Sequence, residues 1–312
     1  MELFNPNANL PFLSWRRISM TISIVAMVLS IALLATQGLN FSLDFTGGTL
    51  LNVKFEQPVE AADVRDPMEQ AGYSNFVIQS LGGTTEWSIR IGAQADSEAN
   101  DQLTNEVMAA LQSRHPEAQL VRSDFVGPQI GEELANDGVL AGTFVLIGIM
   151  IYIAIRFQWK FGLAAIAGEV HDVIIVLGLL SLLRTEFDLT VMAAVLTVAG
   201  YSINDKVVVF DRVREVFRAT RRQNPEEVLD RAINNTMSRT LITGLTTAIA
   251  LFALFFLGGP TVHGFAETVL FGILIGTLST IFFCAPILLY LGTDKQDLIV
   301  QKADDPELAA RP

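Results

Sequence analysis

Val198-Ala-Gly-Tyr-Ser-Ile-Asn-Asp-Lys-Val-Val-Val-Phe-Asp-Arg-Val-Arg-Glu215 begins as the end of an apolar span and runs, with no Pro and no Gly after Gly200, into charged sequence. Inside it Asn204, Asp205 and Lys206 lie between the apolar runs Leu189–Ile203 and Val207–Phe210. An ionisable residue in lipid-compatible sequence is costly and by default marks a functional site. That reading sets the class of the whole chain, because the apolar runs that flank the triplet suit lipid.

The composition agrees. Of 312 residues 51% are hydrophobic and 17% charged, too apolar for an ordinary soluble domain and suited to a polytopic membrane protein. The uncharged run Ile18–Leu39 follows Arg16 and Arg17. At 1.5 Å per residue it reaches about 33 Å, enough to cross a hydrocarbon core of about 30 Å. It is too long for the apolar segment of a signal peptide and reads as a retained anchor behind a polar, loop-like stretch Met1–Trp15. Five more spans follow at about Val139–Ile155, Phe161–Leu183, Leu189–Phe210, Leu241–Leu257 and Phe265–Leu291. Cys284 is the single cysteine, so no intrachain disulfide forms, and it reads as an inert buried thiol.

The net charge of −12 is unevenly placed: residues 40–138 carry 16 Asp or Glu against 5 Lys or Arg, a balance of −11. This acidic region opens with Asn40-Phe-Ser-Leu-Asp-Phe-Thr-Gly-Gly-Thr49, whose paired glycines suit a turn leading into a strand. Periodicity then predicts strand Leu50–Phe55, helix Val59–Ala71, strand Phe76–Leu81, a Gly82-Gly83 turn, strand Glu86–Ile91, helix Ser97–Ser113 and strand Gln119–Val126. Val53, Phe55, Ile89 and Ile91 alternate along strands, while Leu103, Val107 and Leu111 recur at helical spacing. The expected fold is α+β and ferredoxin-like (βαββαβ), four antiparallel strands under two helices, inserted between transmembrane helices 1 and 2. His115 stands alone and the acids are scattered, so nothing there reads as catalytic. Phe125-Val-Gly-Pro-Gln-Ile-Gly-Glu-Glu-Leu-Ala135, punctuated by Gly127 and Pro128, reads as a hinge or a rigid connector.

Orientation follows Lys and Arg in the short connections. Arg16 and Arg17, then Arg156 and Lys160, then seven arginines between Asp211 and Thr240 lie on one side. The opposite side has Arg184 alone. The expected division is a cytoplasmic N-terminus at 1–17, a first helix at 18–39 and a periplasmic domain with its connector at 40–138. Helices two to six occupy 139–291, with a basic cytoplasmic connection at 211–240, and a polar, disordered cytoplasmic tail fills 292–312. The basic connection reads as a topology signal and a lipid-headgroup contact, with no aromatic interleaving for nucleic acid.

Two spans carry intramembrane polar groups. Glu169-Val-His-Asp-Val173 puts Asp172 about 16 Å into the third helix, and Asp205 lies about 24 Å into the fourth, nearer the cytoplasmic side. Burial disfavours the ionised form of a carboxylate and a nearby cation favours it, so such a group can be poised for proton exchange. For Asp205 the readings are proton carriage, a structural hydrogen bond to a neighbouring helix, or interfacial exposure. His171 and Asp172 suit interhelical glue as well as a relay. Adjacent helical residues project about 100° apart, so Lys206 either faces Asp205 or snorkels to the interface. Gly272 and Gly276 give a GxxxG spacing, weak by itself.

Taken together, the motifs resemble the SecD/SecF protein-export family. They are Leu43-Asp-Phe-Thr-Gly-Gly48, Phe125-Val-Gly-Pro-Gln-Ile-Gly131, His171-Asp172, Gly200-Tyr-Ser-Ile-Asn-Asp205, Val207-Val-Val-Phe-Asp-Arg212, Arg239-Thr-Leu-Ile-Thr243 and Gly258-Gly-Pro260. The resemblance, which covers essentially the whole chain, implies an inner-membrane subunit, the smaller of two. It pairs with SecD, assists the SecYEG channel and uses the proton motive force to move unfolded polypeptide in late steps of export. The wider superfamily is that of the proton-driven RND exporters. It further implies that Asp205 couples protons, with Asp172, His171 and Asn204 as auxiliary groups. It assigns Asp44, Gly47, Gly48, Gly127, Pro128, Gly200, Asp211 and Arg212 to structural motifs. No cofactor is implied beyond a coupling proton, or sodium in its place. The family usually has Ser or Thr where this chain has Lys206, which alters the electrostatics beside Asp205. The rival classes are a half-size RND-type exporter of small molecules and a structural membrane scaffold. No nucleophile, metal or nucleotide constellation supports an enzyme.

Overall fold

A computed structural model describes residues 9–74, 76–81, 83–92, 97–220 and 224–293. Gly82 of the expected turn, Arg221 and Arg222 of the basic connection, and all but the first two residues of the expected tail lie outside the described residues. The chain forms two compact units, one from segments 40–143 and 186–192, the other from 1–39, 144–185 and 193–312.

The first unit contains β1 (Asn40–Phe41), α2 (Leu43–Thr46), β2 (Gly48–Lys54), α3 (Ala61–Gln70), β3 (Phe76–Ser80), β4 (Glu86–Ile91), α4 (Ser97–Arg114) and β5 (Gln119–Val126). Its main sheet has the order β3-β4-β2-β5 with every neighbour antiparallel. Thr49 pairs with Ile91 on one side and Phe125 on the other, and a register shift falls between Asn52 and Val53. Alternation decides which face is buried. Leu51, Val53, Trp87, Ile89 and Ile91 point into the core, where they meet Val64, Met68, Val107 and Leu111 of the two helices.

A second, two-stranded sheet was not anticipated. Asn40 and Phe41 of β1 pair in parallel with Glu186 and Phe187 of β6 (Glu186–Phe187), from the connection between the third and fourth spans. Ser42 N–H donates to the Phe187 carbonyl at 3.0 Å, and Phe41, Phe45 and Phe187 form a ring cluster with centroids 5.8–5.9 Å apart. Residues 186–192 therefore belong with this unit although they are far from it in sequence.

Among the described residues six helices are long and apolar enough to cross a membrane. They are α1 (Arg16–Thr36), α5 (Pro128–Arg156), α6 (Trp159–Leu183), α7 (Leu189–Ala219), α8 (Pro225–Leu257) and α9 (Pro260–Ser279), the last continued by a π-helical turn (Thr280–Cys284) and α10 (Ala285–Tyr290). Most outrun the apolar runs that predicted them. Pro128 is the first residue of α5, where its missing N–H is one the helix leaves unbonded anyway. Helix then continues unbroken to Arg156, so no hinge interrupts residues 128–135. The connection at 211–240 is helical at both ends, because Asp211–Ala219 prolongs α7 and Pro225–Thr240 opens α8 behind an Asn224 cap.

Residues 9–15 are also more ordered than their loop-like composition suggests, while residues 1–8 of that expected stretch lie outside the described residues. Phe12–Trp15 forms a 3-10 turn that buries Leu13. Leu13 N–H donates to Asp230 Oδ1 at 2.9 Å, Leu10 N–H to Asn234 Oδ1 at 3.1 Å, and Arg16 pairs with Glu226 at 2.6 Å. Close helix approach depends on small residues. A Cβ on Gly272 would stand 2.0 Å from Val198 Cγ2, one on Gly276 2.6 Å from Ser202 Oγ, and one on Gly178 2.3 Å from Ser30 Cβ. The GxxxG pair thus seats α9 on α7.

Candidate functional site

Adjacent residues on α7 diverge, and this separates Asp205 from Lys206. The snorkelling alternative for Lys206 is overturned: its side chain is 0% exposed. It points at α6, with Nζ 2.7 Å from Asp172 Oδ2, 3.3 Å from Glu169 Oε2 and 2.5 Å from Ser202 Oγ. The carboxylates attract the ammonium more strongly than a distant interface can, and its four-carbon stem fills the space left by Gly168. A Cβ there would stand 2.7 Å from Lys206 Cε and 2.1 Å from Cys284 Sγ.

Asp172 is the centre of the cluster. Its Oδ2 accepts from Lys206, from Ser202 Oγ at 2.5 Å and from Ser279 Oγ at 2.8 Å, and its Oδ1 lies 2.9 Å from His171 Nδ1. An ionised carboxylate only accepts, so the proton of that contact sits on His171 Nδ1. The His171 ring stacks on Phe283 with centroids 4.2 Å apart, and its Nε2 is buried without a hydrogen-bond partner among the described residues. His171 and Ser279 also line an apolar cavity of about 370 Å³ bordered by Ile18, Ile22 and Phe282.

Asp205 turns the other way. Its Oδ1 accepts from Thr240 Oγ1 of α8 at 2.6 Å, while Oδ2 is buried with no partner among the described residues. No ion pair joins it to Lys206 among those residues. Interfacial exposure is excluded by its burial. Asn204, grouped with it on sequence, is exposed, unlike Asp172 and Asp205. Gly200 lies two residues before Ser202 on α7, with open space where a Cβ would project.

The motif residues fall into two further groups. Gly47 has φ +63°, Gly48 φ +126°, and both sit against the other glycine motif: a Cβ on Gly131 would stand 2.8 Å from Gly47 N, and one on Gly47 3.2 Å from Pro128 Cα. Gly127, Pro128 and the paired glycines are therefore one close backbone contact. Asp44 Oδ2 accepts from Leu189 N–H at 3.1 Å, and Asp188 Oδ1 from Val191 N–H at 2.7 Å, so two carboxylates cap the positive end of α7. Asp211 pairs with Arg156 and, at 3.3 Å, with Arg214, and Arg212 pairs with Glu215 at 2.5 Å.

Glu169, Ser202, Thr240 and Ser279 were missed as site residues. Glu169 carried a usable signal, an acid three positions before Asp172 on the same helical face. The hydroxyls carried none, since Ser and Thr are unremarkable in membrane helices. The π-helical turn was equally hidden. It leaves the Phe282 carbonyl to accept from Ser19 Oγ of α1 at 2.9 Å, and such turns occur often at functional sites.

Residues 106–294 match the family model described as protein export membrane protein SecD/SecF, C-terminal, and residues 32–59 match the SecD/SecF GG motif. The chain is 39% identical over 299 residues to the protein translocase subunit SecF of Vibrio alginolyticus, covering 96% of this chain and 95% of that one. It is 40% identical over 296 residues to the Pseudomonas aeruginosa subunit, covering 94% and 95%. Among solved structures it is similar to SecDF of Thermus thermophilus, described as a translocon-associated membrane protein, with a TM-score of 0.83 and 34% identity over 93% of this chain. SecDF in a super-membrane-facing form gives a TM-score of 0.68 and 35% identity over 94%. This chain spans 40% of each of those two chains. With relatives named as translocase subunits and six helices able to cross a bilayer, the chain is a multi-pass bacterial membrane protein and belongs to the SecD/SecF family of protein-export membrane proteins.

Proposed function

We propose that this chain is an auxiliary subunit of Sec-dependent protein export that pairs with a SecD partner and converts the proton motive force into work on unfolded polypeptide leaving the SecYEG channel. In this reading the unit built on residues 40–143 is a ferredoxin-like periplasmic domain, for which the β3-β4-β2-β5 antiparallel order under two helices is the support. Both termini are cytoplasmic, as the arginine bias of the short connections argues. The role of a SecD partner and of the channel rests on what the related SecF and SecDF chains are named for.

The observation that carries the reading is Asp205, a carboxyl buried on a spanning helix with one oxygen held by Thr240 and the other with no hydrogen bond within 3.5 Å among the described residues. A carboxyl so placed has a reason to change its protonation as the bundle moves, which one held on both oxygens lacks. A proton moving down the membrane potential gains about 2.3 kcal/mol per 100 mV. That matches the coupling energy of about 1–3 kcal/mol that biases a two-state element.

The test is Asp205→Asn in the full chain with its partner present, measuring release of a preprotein from inverted membrane vesicles with and without an imposed proton gradient. The expected result is loss of the gradient-dependent part of export with the complex still assembled. Unchanged gradient-dependent export refutes the reading, and a response to a sodium gradient in place of the proton gradient reassigns the ion. Loss of assembly instead favours Asp205 as interhelical glue.

A further inference from the structure

Two buried carboxyls, Glu169 and Asp172, face Lys206, the one buried ammonium among the described residues, while the third, Asp205, turns to Thr240 of α8. Asp172 has the shortest contact to that ammonium and two hydroxyl donors besides, so the two cancel as a neutral pair. Glu169 is then surplus. Its side chain is 5% exposed, its Oε2 makes the longer contact to Lys206, and its Oε1 is buried with no partner among the described residues. A charged carboxylate with a bare oxygen is disfavoured in such surroundings, and a proton on the carboxyl removes the surplus charge. The pocket is built around this pair, because Gly168, next to Glu169, leaves the space that the Lys206 stem occupies.

We propose that Glu169 is a second intramembrane protonation site, separate from Asp205, with Lys206 as the movable counter-charge shared between Glu169 and Asp172. This rests on the proton-driven reading of the bundle and extends it to a residue outside the motifs. The groups facing Glu169 are Lys206 from α7, Asp172 from its own helix and Cys284 from the π-helical turn, whereas His171 points at Asp172 and Asp205 bonds Thr240 of α8. On release the Glu169 O–H bond breaks and the proton passes to water. The carboxylate left behind draws Lys206 Nζ from Asp172 towards itself, and reloading reverses this with no electron transfer. The apolar cavity at His171 and Ser279 approaches the same cluster from the side of α1 and α9.

The test is pH-difference infrared spectroscopy of the full chain in lipid nanodiscs, reading the C=O stretch of protonated carboxyls in the unsubstituted protein and in Glu169→Gln, Asp205→Asn and the double variant. Two separable components are expected, one lost in Glu169→Gln, the other in Asp205→Asn, and both in the double variant. A Glu169→Gln spectrum identical to that of the unsubstituted protein overturns the proposal. If that variant is recovered unfolded, Glu169→Asp decides: it keeps a carboxyl and shifts the frequency of one component, and an unshifted spectrum is the negative result. The readout does not involve export, so normal export in Asp205→Asn would sink the coupling reading and leave the Glu169 component standing.

Discussion

Lys206→Met is the most informative single change, because it removes a charge while keeping a long flexible stem over Gly168. At an effective dielectric constant of about 20, the 2.7 Å contact to Asp172 is an attraction of about 6 kcal/mol, and the 3.3 Å contact to Glu169 becomes one of about 5 kcal/mol only when Glu169 has released its proton. Most of this offsets the cost of burying the ions, so the gross figures are not the loss to be measured. Removing one partner of a buried pair leaves the other uncompensated and typically costs about 3–5 kcal/mol. The expected outcome is a loss of that order in detergent unfolding of the purified chain. Combining it with Glu169→Leu removes one stranded carboxyl, so the double variant is expected to be more stable than the sum of the two single losses by about 0.5–3 kcal/mol. Lys206→Met/Asp205→Asn serves as the control, expected to be close to additive because no ion pair links those residues. Additivity with Glu169 and strong coupling with Asp205 would show that the ammonium faces Asp205 after all, and would refute the charge arrangement described above.

Gly272→Ala places a methyl where Val198 Cγ2 stands at 2.0 Å. An overpacking loss of about 1–3 kcal/mol is expected in the same unfolding assay, largely recovered by Val198→Ala. Gly47→Ala forces a side chain to φ +63°, ψ 170°, a backbone region held almost only by glycine, and presses on Pro128. A cost of about 1–3 kcal/mol is expected, read as faster hydrogen exchange at the start of β2. Burial raises the Glu186 carboxyl above the usual glutamate range, with Asp188 and Asp44 adding to the shift and Arg90 opposing it. The folded chain then binds this proton more tightly than the unfolded chain, so the contribution is full below the ordinary glutamate value and declines as pH rises through the folded one. Glu186→Gln should remove that decline from melts taken across about pH 3 to 7, and an unchanged slope counts against it.

Much of the architecture was legible because it rests on local patterns. An apolar run long enough to cross lipid must be helical there, since no water satisfies its backbone, and this located every span. Alternation at Val53, Phe55, Ile89 and Ile91 likewise placed the strands, because a pleated strand sends successive side chains to opposite faces. Helix ends were less legible: Asp211–Ala219 and Pro225–Thr240 are charged helix, and hydropathy registers only the lipid-compatible part. Asp205 and Asp172 stood out in the sequence because a carboxylate is conspicuous among apolar residues. Their hydroxyl partners, Ser202, Ser279 and Thr240, did not.

The sequence by itself determined that this chain has six spans and an acidic α+β region, and that buried carboxyls lie on the third and fourth spans. These follow from composition and period, which act within one segment. Only the tertiary structure decided that Lys206 serves Asp172 and Glu169 and not its neighbour Asp205, that the two glycine motifs are one contact, and that Asp44 caps α7. Each of these depends on helix rotation and on approaches between segments up to about 145 residues apart, and neither quantity is written in the spacing of residues along a single element.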